Sequence, residues 1–225
     1  MNLLLLIYFL ALPQQFNWVS FSMVKRINKT GVTSWMDARI HFDKSGDMVT
    51  YFTKPQELYV LNNADGELKV YNPKENSVFK SVNYNYSSQH TPIFYFLNEK
   101  ENMGLEEAGY EISTSEVNDM LLITKWTPPK KSDIDLSYIE VVNDGEKNVY
   151  QGFYDDEGVC FKKVFYYDFE NVGGKAVPKS ITEIDFIEED SVISKTTFSD
   201  FILNDPIDRE ILDLKIPENA KLLSK

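Results

Sequence analysis

Hydrophobic and polar residues alternate with a period of two along much of this chain, which is the pattern of strands with one buried face. The alternation is clear in "SWMDARIHF", where the apolar positions are Met36, Ala38, Ile40 and Phe42. His41 falls on the opposite, charged side and is predicted to be exposed. The segments "SITEIDF" and "SVISKTTF" alternate in the same way, so we predict a protein built mainly of strands.

Turn signals separate the strand-like segments. They are "DKSGD" at 43, "NADG" at 63, "NDGE" at 143, "DDEG" at 155 and "NVGG" at 171, each flanked by Val, Ile, Tyr and Phe. Turn segments placed between strand-like segments in this way are typical of hairpins in an antiparallel meander. We predict a single twisted antiparallel sheet of roughly nine to eleven strands without parallel pairs.

Two short helices are predicted from their first residues. "TPIFYFLNEKE" and "DPIDREIL" each start with an N-cap residue, Thr91 or Asp205, followed by proline at the first helical position. In the first helix, spacings of three and four residues place Ile93, Phe94 and Leu97 on one apolar side. We expect that side to face a cavity.

Composition narrows the possible partners. The net charge is -12, with 35 acidic and 23 basic residues, which disfavours a phosphate backbone as a partner. No nucleic acid is therefore expected. Aromatic residues make up 14% of the chain, which indicates either a broad apolar lining or the packing of a large sheet against helices.

The N-terminal run "MNLLLLIYFLAL" has the length of a signal-peptide core and is interrupted at Pro13. We predict that residues 1–22 are a signal peptide or an N-terminal helix and that 23–225 form a single domain, with cleavage near residue 15 or 22. Cys160 has no second cysteine for an intrachain bridge and is expected to be a small buried hydrophobe.

Catalytic and metal-binding patterns are weak. His41 and His90 are the only histidines, and both are predicted to be surface or turn residues. Asn63, Asp65 and Gly66 match the middle of a calcium loop, but a hairpin turn explains them more simply. The acidic runs "YDDEG" and "IEEDS" fit solvated turns. We predict no catalytic residues, no metal site, no cofactor and no enzyme activity.

An ordered series of landmarks carries a family resemblance. Lys54 and Pro55 end one strand, "ELYVL" forms the next, and a turn at Asp65 and Gly66 leads to "YNP" and then to "TPIF". Near the end comes "TFSDFILNDPIDREILDLKIPENAKLL". In this order the chain resembles the LolA-like carriers of the outer-membrane lipoprotein-sorting family, although the family usually has arginine where Lys54 stands.

The resemblance implies an incomplete antiparallel β-barrel, a half-barrel, with short helices as a lid over its concave face. It implies a periplasmic, monomeric carrier that binds the acyl chains of lipoproteins, or other lipids, in an apolar cavity. The implied protein partners are an inner-membrane exporter and an outer-membrane acceptor. Burying an acyl chain yields about 0.8 kcal/mol per CH₂ and requires no reacting group.

The ligand-binding residues expected from strand alternation, the first helix and the resemblance are Met48, Phe52, Lys54, Leu58, Val60, Ile93, Phe94 and Leu97. Two interpretations of Lys54 stay open. Its ammonium could hold the lid closed from the concave face, or it could lie in solvent at the end of a strand.

Two other functions fit the same pattern. One is an envelope sensor or regulatory binding protein of the same fold, which would normally carry an additional partner-binding domain. The other is an interaction protein whose concave face is filled by its own side chains.

Overall fold

The computed structural model describes residues 16–100, 102–129, 135–188 and 190–223. Within them the fold is mainly β, as predicted: one large sheet that stays open, with two short α-helices. Residues 1–15 of the predicted leader and most of the loop "TPPKKSD" lie outside the described residues. β1 begins at Trp18, so the end of the 1–22 segment is strand and not helix.

The elements follow one another as hairpins. The strands are β1 (Trp18–Lys29), β2 (Val32–Asp43), β3 (Met48–Lys54), β4 (Leu58–Asn62), β5 (Glu67–Asn72), β6 (Ser77–Val82), β7 (Glu111–Asn118), β8 (Leu121–Thr127), β9 (Tyr138–Asn143), β10 (Asn148–Tyr154), β11 (Cys160–Val172), β12 (Lys175–Ile187), β13 (Asp190–Leu203) and β14 (Lys221–Leu223). The helices are α1 (Pro92–Leu97) and α2 (Pro206–Leu212), and two 3₁₀ turns, Tyr84–Tyr86 and Ser88–His90, precede α1.

The sheet has the order β14-β6-β5-β4-β3-β2-β1-β13-β12-β11-β10-β9-β8-β7. Its 14 strands in the described residues exceed the predicted number, and β14 pairs with β6 in parallel. The prediction of nine to eleven strands without parallel pairs was therefore wrong. The parallel pair arises because the chain after α2 runs back along β6 without a hairpin, which turn signals could not reveal.

All five predicted turns join consecutive strands of this sheet. At the turn between β4 and β5, the side-chain oxygen of Asn63 accepts hydrogen bonds from the backbone amides of Asp65 (3.1 Å) and Glu67 (3.0 Å). That oxygen is therefore used by the hairpin, which favours the turn interpretation over the calcium loop.

Both helices begin at the predicted residues. The Asp205 carboxylate accepts a hydrogen bond from the amide of Ile207 at 2.9 Å and caps α2. Thr91 precedes α1 but its hydroxyl donates to the carbonyl of Ser88 instead, so α1 starts without a side-chain cap. A short helix with no such cap depends on tertiary packing for its stability.

The two helices cover opposite faces of the sheet. Phe94 of α1 contacts Phe42, with ring centroids 5.9 Å apart, and this side is called the α1 face. Asp43 follows Phe42 in β2, so its side chain points to the other side of the sheet, called the α2 face. The guanidinium of Arg209 in α2 lies 3.4 Å from the carboxylate of Asp43. The expectation of a lid made by both helices therefore holds only for α1. His41 shares the α2 face and is 4% exposed, so its predicted exposure was wrong.

The main hydrophobic core lies on the α1 face, between the central strands and α1. Ala38, Ile40 and Phe42 are buried as the alternation predicts, and Met36 is half-buried. Phe16, Val19 and Phe21 also lie in buried positions of this core, ahead of the predicted domain start at residue 23. A second, smaller core surrounds Trp126 on β8; its other buried members are Leu105, Ile139 and Val141.

Candidate functional site

An open apolar groove crosses the α1 face of β3, β4 and β5. Strand register aligns Thr50 with Val60, and Val60 with Val70, so successive rows of side chains form its floor. Its volume is about 320 Å³, at the lower end of the range of small-molecule sites. The lining residues are Met48, Thr50, Phe52, Val60, Asn62, Leu68, Asn85, Tyr86, Ser87, His90 and Thr91.

The roof of this groove is the segment 83–91, which contains both 3₁₀ turns. Hydrogen bonds tie it to the neighbouring hairpin: the amide of Asn83 donates to the carbonyl of Gly66 at 3.0 Å, and the hydroxyl of Ser87 donates to that of Ala64 at 2.7 Å. The side-chain amide of Asn62 donates to the carbonyl of Tyr86 at 3.1 Å. These bonds fix the roof above β4 and β5, so the groove is preformed.

Gly66 allows this close approach. Its φ is +78°, and a Cβ at this position would lie 2.3 Å from the carbonyl oxygen of Asn83. A side chain would therefore be strained by the backbone conformation and would also displace the roof.

Helix α1 closes the α1 face beside the groove. Ile93, Phe96 and Leu97 are buried in the main core, and the ring of Phe96 contacts those of Tyr166 and Phe169. These three aromatic residues thus pack α1 onto the sheet.

One ion pair fixes the end of α1 to the sheet. Just after the helix, the carboxylate of Glu99 lies 3.0 Å from the ammonium of Lys175 on β12. Burial of the apolar side holds α1 against the sheet, and this partly exposed pair adds little to it.

The predicted binding residues divide into three groups. Met48, Phe52 and Val60 line the groove, and Leu58 pairs with Phe52 on the same strand face. The α1 residues Ile93 and Leu97 are buried beneath the helix, and Phe94 is half-buried against Phe42. The third group is Lys54 alone.

The ammonium of Lys54 lies 2.8 Å from the carboxylate of Asp37 on β2, and the lysine side chain is 59% exposed. Met48, at the other end of β3, packs against the core that contains Phe94. Six residue steps along the strand, about 20 Å, lead from Met48 to Lys54. The contact of Lys54 is therefore with a neighbouring strand, and its role as a latch stays a prediction.

A charged cluster occupies the α1 face at the end of the sheet opposite α1. The carboxylate of Glu183 accepts hydrogen bonds from Lys25 (3.4 Å) and Ser194 (3.1 Å), and Lys162 lies 4.0 Å away. Burial favours the protonated acid, but the two lysines and the hydroxyl outweigh it, so the pKa of Glu183 lies below its ordinary value. The α1 face thus changes from apolar to charged along the central strands.

No group of three or more His, Cys, Asp or Glu residues in the described part of the chain could hold a metal ion. No helix in the same part of the chain is long and apolar enough to cross a membrane.

Comparison with known proteins shows the fold. The chain is similar to a LolA superfamily protein from Nitrosomonas europaea, with 16% identity, a TM-score of 0.58, and coverage of 88% of this chain and 90% of the other. It is also similar to a putative outer membrane lipoprotein-sorting protein domain from Vibrio parahaemolyticus, with 11% identity, a TM-score of 0.59, and coverage of 89% and 93%. The fold is therefore LolA-like.

A third solved structure agrees with this assignment. It is a DUF1329 family protein from Desulfovibrio piger, with 15% identity, a TM-score of 0.58, and coverage of 85% of this chain and 88% of the other. No protein-family model matches the chain, and no curated protein matches it.

The predicted binding residues include three of the eleven residues that line the groove and miss the other eight. Leu68 on β5 could have been found from its position opposite the alternating residues of β4. The roof residues Tyr86 and His90 carry no sequence signal for their position, because long-range bonds to the hairpin place them there.

Proposed function

We propose that the protein is a periplasmic carrier that binds the acyl chains of lipoproteins, or of other lipids, on its α1 face. The observation that carries the proposal is the preformed apolar groove on a LolA-like sheet, directly beside the closing helix α1. Each buried CH₂ contributes about 0.8 kcal/mol, so a long chain binds tightly without polar contacts.

The groove alone holds only part of a lipoprotein's acyl chains, and α1 covers the adjoining apolar surface. Loading therefore requires α1 to move away from the sheet, so that the buried positions of Ile93 and Leu97 become part of the binding surface. An inner-membrane exporter would supply the ligand, and an outer-membrane acceptor would remove it as α1 packs back. In this proposal the protein acts as a monomeric binding protein and not as an enzyme.

Export follows from the same proposal, with residues 1–15 as the main part of a removable leader. Phe16, Val19 and Phe21 lie in the core. We therefore expect cleavage near residue 15, because a cut at residue 22 would remove buried side chains. N-terminal sequencing of the mature protein tests this expectation.

Binding is tested with a fluorescent fatty-acyl probe. Val60→Asp places a carboxylate in the floor of the groove, where an acyl chain would desolvate it at a cost of several kcal/mol. The control is Val82→Asp at the end of β6, where the side chain is 75% exposed and lies outside the groove. We expect probe binding to fall strongly for Val60→Asp and to stay unchanged for Val82→Asp; equal binding by both variants would refute the assignment of the groove.

A further inference from the structure

The chain crosses the α2 face after helix α2. Residues 213–220, called the strap, lead from α2 to β14 and are attached at both ends. At the first end, the amide of Leu214 donates to the carbonyl of Ile211 at 3.0 Å. At the second end, the side-chain amide of Asn76 donates to the backbone carbonyl of Asn219 at 3.3 Å. The backbone carbonyl of Asn76 accepts a hydrogen bond from the amide of Lys221 at 2.8 Å.

A cavity of about 520 Å³ lies between the strap and the sheet. It is on the opposite side of the sheet from the apolar groove, because Leu61 and Val78 point away from α1. Its apolar lining is formed by Leu61, Val78, Leu214, Ile216, Pro217, Ala220 and Leu222. The size and lining suit one acyl chain.

Three lysines surround this cavity. Lys69 and Lys80 are direct cross-strand partners on β5 and β6, and Lys215 belongs to the strap. Like charges directly opposite each other destabilise a sheet. Among the described residues, none of the three forms an ion pair, although the whole chain has a net charge of -12. Glu218 also lines the cavity but pairs with none of them.

A neighbouring cavity shows the opposite charge. It shares Leu61, Lys69 and Leu214 with the first, has a volume of about 270 Å³, and is lined by Asp47, Glu67 and Asp213 as well. An anion is therefore favoured only at the end near Lys80 and Lys215. The cavity under the strap thus combines an apolar interior with a positively charged rim.

We propose that the cavity under the strap is a second binding site, for a single-chain amphiphile with an anionic head. The tail occupies the apolar space between Val78 and Ile216, and the head lies at the end near Lys80 and Lys215, where it also offsets the repulsion between Lys80 and Lys69. The site is separate from the groove on the α1 face and takes one free chain, such as a fatty acid or an alkyl phosphate.

The test uses calorimetric titration of the full chain with dodecanoate, dodecyl phosphate and dodecanol. Val60→Asp serves as the background, because it blocks the groove of the proposed carrier function. In that background we expect one site that binds the two anions, with dodecanol at least about tenfold weaker, which corresponds to about 1.4 kcal/mol. The stronger of the two anions identifies the head group as carboxylate or phosphate.

Charge reversal at the rim then locates the site. Lys80→Glu should weaken dodecanoate binding about tenfold or more, whereas Lys74→Glu, in the exposed turn after β5, should leave it unchanged. Equal affinity for dodecanol, or unaltered binding by Lys80→Glu, would overturn the proposal. So would loss of all binding in Val60→Asp when circular dichroism shows that variant to be folded. A different result would contradict the proposed acyl-chain binding in the groove: Val60→Asp would bind the acyl probe as well as the native protein does.

Discussion

Helix α1 should control access to the binding surface, and Leu97→Ala tests this role. Leu97 is 0% exposed and lies in the main core beneath the helix. Its truncation leaves a cavity that only the closed position of α1 contains. The open position, in which the helix leaves the sheet, loses nothing. The substitution should therefore shift the protein from closed to open.

The size of this shift follows from the burial. Leu→Ala changes at buried sites cost about 2 to 5 kcal/mol. Even the lower value changes the ratio of open to closed protein by roughly 30-fold, since 1.4 kcal/mol is tenfold. If only the open form accepts a long acyl chain, its apparent affinity rises by the same factor while the open form is rare.

The assay is titration of a fluorescent acyl probe into the native protein, Leu97→Ala and a control. Val141→Ala is the control because Val141 is 3% exposed but belongs to the second core, away from α1. It should lower the free energy of unfolding and leave the apparent affinity within about threefold of native. If Leu97→Ala binds the probe no more tightly than Val141→Ala, α1 is not the gate.

Three further changes test other parts of the structure. Gly66→Ala should lower the melting temperature and weaken probe binding, because the added Cβ displaces the roof. Gly145 also has a positive φ but open space around it, so the control Gly145→Ala should affect only stability. The pKa of Glu183 is lower in the folded protein, so its carboxylate contributes stability at pH values above the unfolded pKa. That stability is lost as the pH falls through the folded pKa. Glu183→Gln removes the titrating group, so the free energy of unfolding of this variant should fall less steeply towards acid pH. Lys54→Leu removes a largely exposed pair with Asp37 and should change stability by no more than about 1 kcal/mol without altering probe release.

A specific result would contradict each of these three predictions. Identical melting and binding for Gly66→Ala and Gly145→Ala would mean that the roof does not depend on the close approach at Gly66. If the free energy of unfolding of Glu183→Gln falls towards acid pH as steeply as that of the native protein, Glu183 does not contribute to the acid dependence of stability. Slower probe release by Lys54→Leu would support the latch interpretation.

Local chemistry made part of the fold predictable. Turn residues and alternation identified the hairpins, and Thr91 and Asp205 marked both helix starts, because these signals act within a few residues. Alternation also placed Met48 and Phe52 on one face of β3, and both line the groove.

Long-range contacts account for what the sequence did not reveal. Helix α2 comes from the far end of the chain and packs against β2 on the face of the sheet that buried His41 shares. The partner of Lys54 is Asp37, on a strand whose pairing includes a register shift at that position. Neither contact has a signal in the neighbouring residues.

Native mass spectrometry of the protein with a synthetic diacyl lipopeptide tests acyl-chain binding on the α1 face most directly. We predict a one-to-one complex for the unchanged protein, a larger bound fraction for Leu97→Ala, and loss of the complex for Val60→Asp. Absence of a complex with the unchanged protein, or an equal bound fraction for Val60→Asp, would contradict binding on the α1 face.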